Sequence, residues 1–158
     1  ATMIHAPVFY VFGNHDTDYF PEPPGGCDSI EDTIVTFQNI RIAGLGGSMK
    51  YNQHPINGKP PYQYTEKQME KRVKKLKRKI KTYGGIDILV THAPAYGISD
   101  GTDLAHIGFK SFLPLLDTYH PKYFFHGHMH MKYGRAKRMV QYKETQVIDA
   151  WGYYIIEF

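Results

Sequence analysis

The sequence predicts an α/β domain, and two kinds of segment carry that prediction. Short apolar segments at 7–12, 86–90 and 123–125 have the composition of strands that are buried on both faces. A segment at 66–83 instead has apolar residues at the spacing of a helix, with one narrow apolar stripe. This stripe consists of Met69, Val73, Leu76 and Ile80. Strands followed by a helix and further strands are typical of the α/β class.

Length and composition are consistent with one globular domain that spans residues 1–158. The chain is 42% hydrophobic, and its 15 glycines and 10 prolines are too few for a low-complexity protein. No apolar run approaches the roughly 18 to 20 residues of a membrane helix, and the first residues lack the pattern of a signal peptide. Cys27 is the single cysteine and cannot form an internal disulfide. We therefore expect a cytoplasmic protein without a membrane partner; the sequence does not indicate its oligomeric state.

The first half of the chain is predicted to contain a strand, a loop and a hairpin. The strand at 7–12 ends at a glycine, and 17–28 is rich in proline, glycine and acidic residues, as exposed loops are. Segments 33–37 and 40–45 are strand-like, and Asn39 lies between them. This pattern predicts a β-hairpin.

The segment at 66–83 has the start and stop signals of a helix. Thr65 is a favourable N-cap, and Gln68 completes a capping box with it. Gly84 supplies the carboxyl-terminal stop. Residues 66–81 carry nine Lys or Arg against two Glu, so their net charge is 9 − 2 = +7 and that of the rest is 4 − 7 = −3. We favour a solvated face, while a surface for nucleic acid or for steering anionic substrates stays an alternative.

The second half is predicted to hold a strand, a helix, a strand and a closing hairpin. The strand at 86–90 is followed by a helix at 108–119, in whose middle Pro114 is unfavourable. After the strand at 123–125, segments 145–148 and 153–158 have the composition of a hairpin that closes the fold.

Three of the predicted strands end in polar loops that contain histidine. The loops are 13–16 (Gly-Asn-His-Asp), 91–94 (Thr-His-Ala-Pro) and 127–130 (Gly-His-Met-His). Side chains at the carboxyl ends of neighbouring strands converge on one edge of a sheet. Each loop alone has an ordinary explanation, as a packed histidine, a turn or a surface loop. Together they predict a site of mixed nitrogen and oxygen ligands, which suits Mn, Fe, Zn or Co better than Ca or Mg.

These motifs resemble the later motifs of the calcineurin-like metallophosphoesterases. The order of Gly-Asn-His-Asp, His92 and Gly-His-Met-His, the apolar strand before each, and the Gly-Leu-Gly-Gly stretch at 44–47 all agree. The resemblance implies a four-layer α/β/β/α sandwich, in which two sheets pack face to face with helices outside. It also implies hydrolysis of a phosphomonoester or phosphodiester at two divalent metal ions, with a bridging hydroxide as nucleophile. Mn, Fe, Zn or Ni would serve, and Mn is our preferred choice.

The resemblance also implies residue roles. Asn14, His92 and His128 would bind one metal, and His130 the other. His15 would face the phosphoryl group and stabilise the transition state or protonate the leaving group. Asp16 would orient the imidazole of His15 and favour its protonated form.

The chain departs from the family pattern at its start. The family's Asp-x-His and Gly-Asp motifs precede Gly-Asn-His, and residues 1–13 contain no Asp. We therefore expect a chain that lacks the first βαβ portion of the fold, together with one His and two Asp ligands. The second metal site would then be under-ligated, which leaves open whether this chain acts alone.

The substrate is less well indicated than the chemistry. Asp16 stands where Ser/Thr protein phosphatases of the family have Glu, so we favour a small-molecule or nucleotide phosphodiester as the phosphate-ester substrate. Asp100, Asp103 and His106 are candidate substrate-binding residues, and a solvated loop is an equal alternative. Tyr51, Asn52 and Tyr64 are weaker candidates for the rim of the site. The rival to an enzyme is a non-catalytic scaffold or nucleic-acid-binding module that uses the basic helix.

Overall fold

A computed structural model describes residues 6–16, 25–52, 62–130 and 137–158. Its central feature is a six-stranded mixed sheet, accompanied by two small two-stranded sheets. The strands are β1 (Phe9–Tyr10), β2 (Asp28–Ser29), β3 (Ile34–Phe37), β4 (Ile40–Leu45), β5 (Ser48–Met49), β6 (Gln63–Tyr64), β7 (Ile88–Thr91), β8 (Tyr123–His126), β9 (Met139–Tyr142) and β10 (Thr145–Asp149). The helices are α1 (Glu66–Thr82) and α2 (Leu113–Tyr119), and a 3₁₀ turn at Lys110–Phe112 leads into α2.

The six-stranded sheet has the order β3-β4-β7-β8-β10-β9. Its four inner strands are parallel, and β3 and β9 pair antiparallel at the edges. One register row crosses five strands, through Ile34, Ala43, Leu89, Phe124 and Val147. All five side chains are buried in one core with the apolar residues of α1 and α2. The helices therefore cover this face of the sheet, and the predicted α/β class is confirmed.

Helix α1 confirms the predicted segment. Both hydrogen bonds of the capping box between Thr65 and Gln68 are present, and the four apolar stripe residues are all buried. The helix ends where Gly84 adopts φ = 73°, and the N–H of Gly85 then donates to the carbonyl of Ile80 at 3.0 Å. A positive φ favours glycine at this position because it has no Cβ.

The predicted hairpin at 33–45 is also confirmed. Strands β3 and β4 pair antiparallel. Gln38 and Asn39 connect them, with φ of 48° and 66°. Two consecutive positive φ values are typical of the two-residue turn whose twist matches paired strands.

Two predicted elements are shorter than expected. The segment at 7–12 was expected to be a buried strand, but only Phe9–Tyr10 is a strand; it is half-buried and pairs with β2 outside the main sheet. The helix expected at 108–119 begins as the 3₁₀ turn and becomes α-helical only at Leu113. The reason is Pro114, which lacks a backbone donor and therefore fits only the first turn of a helix.

The closing hairpin has a different partner from the predicted one. Strand β10 forms where expected, but it pairs antiparallel with β9 and not with 153–158. Residues 143 and 144 connect β9 to β10, and this short connection brings the two strands together at low entropic cost. Residues 153–158 form no strand. The predicted loops at 17–28 and 52–64 lie mostly outside the described residues.

None of the helices in the described parts of the chain has the length and apolar character needed to cross a membrane.

Candidate metal centre

The three predicted loops meet at the carboxyl ends of β7 and β8. The Nε2 atom of His92 lies 2.8 Å from the Oδ1 atom of Asn14 and 3.0 Å from the Nδ1 atom of His128. Two ligands at about 2.1 Å from a metal ion, in cis positions, are about 3.0 Å apart. Both distances from His92 are therefore those expected between neighbouring ligands of one metal ion.

Asn14 is held in one orientation by a tyrosine. Its side chain is buried, and its Nδ2 atom donates to the Tyr51 hydroxyl at 2.9 Å. The Oδ1 atom therefore faces His92. A neutral amide oxygen in this position is a suitable ligand for a divalent metal.

The tautomer of His128 is set by a backbone carbonyl. Its Nε2 atom lies 2.6 Å from the carbonyl oxygen of Ala105, so Nε2 carries the hydrogen and the lone pair of Nδ1 faces His92. His128 adopts φ = 64°, which is unusual for a residue with a side chain. Such backbone strain is concentrated at functional sites.

The environment of the cluster lowers the pKa of His92 and of His128. Burial, together with the neighbouring histidines His128 and His15, lowers the pKa of His92 to about 3. Burial also lowers the pKa of His128, although the carbonyl of Ala105 opposes the shift. A neutral imidazole is the form that binds a metal ion.

Three other predicted residues lie around this cluster. His15 is exposed and lines a cavity of about 400 Å³ that also contains Asn14, His92 and His128. His130 lines the same cavity, and its ring centroid lies 4.2 Å from that of Trp151, with the two planes tilted by 35°. The carboxylate of Asp16 accepts a hydrogen bond from the N–H of Gly13 at 2.6 Å. The roles of His15 and His130 in chemistry, and of Asp16 in orienting His15, stay predictions.

The loop at 100–108 supports the cluster from one side. Asp103 accepts hydrogen bonds from the backbone N–H groups of Ala105 and His106 and lies 2.9 Å from the His106 ring. Asp100 accepts from the N–H of Gly108 at 3.0 Å. Both carboxylates thus hold the loop that presents the Ala105 carbonyl to His128. Of the predicted substrate-binding trio, His106 lines the cavity, and the substrate role of all three stays a prediction.

Sequence reasoning missed several residues of the site. Ala150, Trp151 and Gly152 line the cavity because they follow β10, which lies beside β8. Ala105 contributes only a backbone carbonyl, which no side-chain pattern can indicate. The composition contained one signal for these missed residues, namely that Trp151 is the single tryptophan of the sequence.

The convergent donor set fits one metal ion. It consists of one amide oxygen and two imidazole nitrogens, which lie within hydrogen-bond distance of His92 Nε2 or include it. Among the described residues, no three or more His, Cys, Asp or Glu side chains converge as a metal site. The three donors therefore form an incomplete ligand set for one metal ion, and His130 lines the same cavity.

Comparison with known proteins assigns the family. The family model for calcineurin-like phosphoesterases matches residues 1–132, so the chain belongs to this family. Membership of this family is consistent with phosphoester hydrolysis and with the binding of divalent metal ions in general.

Solved structures confirm the fold. One crystal structure matches with a TM-score of 0.62 and 13% identity, over 93% of this chain and 58% of that chain. The crystal structure of TT1561 of Thermus thermophilus matches with a TM-score of 0.52 and 16% identity, over 80% and 50%. The chain thus spans about half the length of the solved structures it matches. A search of curated protein sequences finds no match.

Proposed function

We propose that the protein is a metal-dependent phosphoesterase. The observation that supports this proposal best is the convergence of Asn14, His92 and His128. The Nε2 atom of His92 lies 2.8 Å from the Oδ1 atom of Asn14 and 3.0 Å from the Nδ1 atom of His128. The contacts from Tyr51 and from the Ala105 carbonyl direct these donors inward. A packing role does not require such an arrangement.

The residues of the candidate site would have separate roles in the reaction. Asn14, His92 and His128 would hold one divalent metal ion, and His130 would contribute to a second. When bound, the metal ions would activate water and neutralise charge on the phosphoryl oxygens. His15, exposed on the cavity wall, would donate a hydrogen bond to the phosphoryl group and a proton to the leaving oxygen. Mn is our preferred metal.

The cavity supports a small phosphate ester as the substrate. Its volume of about 400 Å³ lies within the range of small-molecule sites. The rim carries the aromatic side chains of Tyr51 and Trp151. We therefore favour a phosphodiester of a small molecule or nucleotide over a phosphoprotein. The cytoplasmic location stays a prediction from cysteine content.

The test compares variants of the full-length protein after Mn loading. His15→Asn should abolish hydrolysis of bis(p-nitrophenyl) phosphate and leave the Mn content intact, because His15 would act on substrate and not on metal. His128→Asn should lower both. His120→Asn is the matched control, since His120 is exposed and contacts Glu144 at 3.1 Å. Unchanged hydrolysis in His15→Asn would remove His15 from the mechanism.

A second candidate function rests on the outer face of α1. The lysines and arginines outside the buried stripe that are exposed are Lys67, Lys71, Lys74, Lys75, Arg78, Lys79 and Lys81. Such a face suits the phosphates of a nucleic acid, as a non-catalytic module would require. Neutralising Lys74, Lys75, Arg78 and Lys79 should then abolish binding of a duplex oligonucleotide. Binding that persists would show that α1 is not the contact surface.

A further inference from the structure

Glu31 connects the segment before Asn14 to the glycine-rich turn after β4. Its Oε1 atom accepts from the N–H of Phe12 at 2.7 Å, and its Oε2 atom accepts from the N–H of Gly46 at 3.0 Å. The Glu31 side chain is only 19% exposed. One half-buried carboxylate therefore holds two backbone segments that are 34 residues apart in sequence (46 − 12).

Arg72 of α1 completes this arrangement. Its guanidinium contacts the Oε2 atom of Glu31 at 2.5 Å and donates to the Gly46 carbonyl at 2.8 Å. Its Nε atom donates to the Oδ1 atom of Asp32 at 2.8 Å. The Cζ atom of its guanidinium lies 4.4 Å from the centroid of the Tyr64 ring. Arg72 is the one base of the helix that is largely buried, with 13% side-chain exposure. It is thus part of the fold and separate from the exposed basic face.

Gly46 is packed too closely against Glu31 and Phe12 to be replaced by a residue with a side chain. A Cβ on Gly46 would lie 1.9 Å from the Oε1 atom of Glu31 and 2.4 Å from the carbonyl oxygen of Phe12. That same carbonyl accepts from the N–H of Gly47 at 2.7 Å. Both polar backbone groups of Phe12 are therefore fixed, two residues before Asn14.

We propose that Glu31 and Arg72 are a positioning pair for Asn14, and that they set the metal affinity of the site without touching metal or substrate. The inference rests on the proposed function only in taking Asn14 as a metal ligand. Three donors converge on the Glu31 carboxylate, from Phe12, Gly46 and Arg72. Groups that orient a ligand from outside are typically worth 10- to 100-fold in metal affinity or activity.

The test measures Mn binding to the full-length protein, at a temperature where every variant is folded. Glu31→Gln should weaken Mn binding at least tenfold, because an amide serves fewer of the three donors. Arg72→Lys should weaken it in the same direction, since lysine keeps the charge but loses the two-pronged contact. Mn affinity is a readout independent of turnover.

The matched control is a second arginine–carboxylate pair, formed by Arg41 of β4 and Asp87. Arg41 contacts Asp87 at 2.7 and 2.8 Å, and Asp87 lies just before β7, at the end away from the metal centre. Asp87→Asn should lower thermal stability while Mn affinity stays within twofold of wild type. If Glu31 only stabilised the fold, Glu31→Gln would likewise lower thermal stability and leave Mn affinity within twofold of wild type.

Each outcome decides the proposal. An Mn affinity of Glu31→Gln and Arg72→Lys within twofold of wild type overturns it. If neither variant folds while Asp87→Asn does, the pair is a stability element and the proposal fails. A wild type that binds Mn but hydrolyses no phosphoester contradicts the proposed function alone, and the comparison of Mn affinities still decides the role of Glu31.

Discussion

The contact between Tyr51 and Asn14 makes a quantitative prediction about metal binding. In Tyr51→Phe the amide of Asn14 loses the acceptor that holds its Nδ2 atom at 2.9 Å. The amide of this buried residue can then turn, so that Nδ2 faces His92 and Oδ1 faces away. Metal binding would have to reverse the turn, at the cost of about one hydrogen bond, or roughly 0.5–1.5 kcal/mol. Since 1.4 kcal/mol corresponds to a factor of ten, we expect Mn to bind about two- to twelvefold more weakly.

The assay is a titration with Mn followed by electron paramagnetic resonance, which detects the free ion. Tyr119→Phe is the control, because the Tyr119 hydroxyl donates to the carbonyl of Lys77 at 3.3 Å, outside the site. The control should bind Mn as wild type does. Equal Mn affinity of Tyr51→Phe and wild type would refute the argument that Tyr51 orients the amide.

Three further predictions concern packing and charge. Leu76→Ala should lower the free energy of unfolding by about 2–5 kcal/mol in urea titrations, because Leu76 is fully buried; a loss below 1 kcal/mol would contradict this packing. The hydrogen bonds from Arg41 lower the pKa of Asp87 below its ordinary 3.8, so the stability lost in Asp87→Asn should be full at pH 6 and shrink as the pH falls below 3.8. A loss that is independent of pH would refute this. Gly13→Ala places a Cβ 3.0 Å from the His92 ring and should weaken Mn binding severalfold at nearly unchanged melting temperature; unchanged Mn affinity would show that the ring yields freely.

Elements whose signals are local could be predicted well. Helix α1 combines a capping box, an apolar stripe and a glycine stop within about twenty residues, so its bounds depend little on the rest of the chain. The hairpin of β3 and β4 likewise depends on a two-residue turn. The segment at 153–158 has the composition of a strand but no strand partner, and pairing is not encoded in composition.

The candidate site also combines features that are local in the sequence with features that depend on distant residues. The local pattern alone was enough to predict the proposed ligands, because Asn14, His92 and His128 each lie in a polar loop that follows an apolar segment. It also indicated the family, whose motifs are short and local. Which nitrogen of His128 faces inward depends on a carbonyl 23 residues away in sequence, so no local pattern can show it.

The contacts around the proposed ligands could be known only from the three-dimensional structure. Tyr51, Ala105 and Glu31 act through hydrogen bonds that span 15 to 37 residues of sequence. His130 belongs to the same motif as His128, and its ring contacts Trp151 because β10 runs beside β8. The physical reason is that hydrogen bonds and packing at a site depend on distance in space. Strand order and helix docking bring these groups together, and both depend on the burial of the whole sheet face.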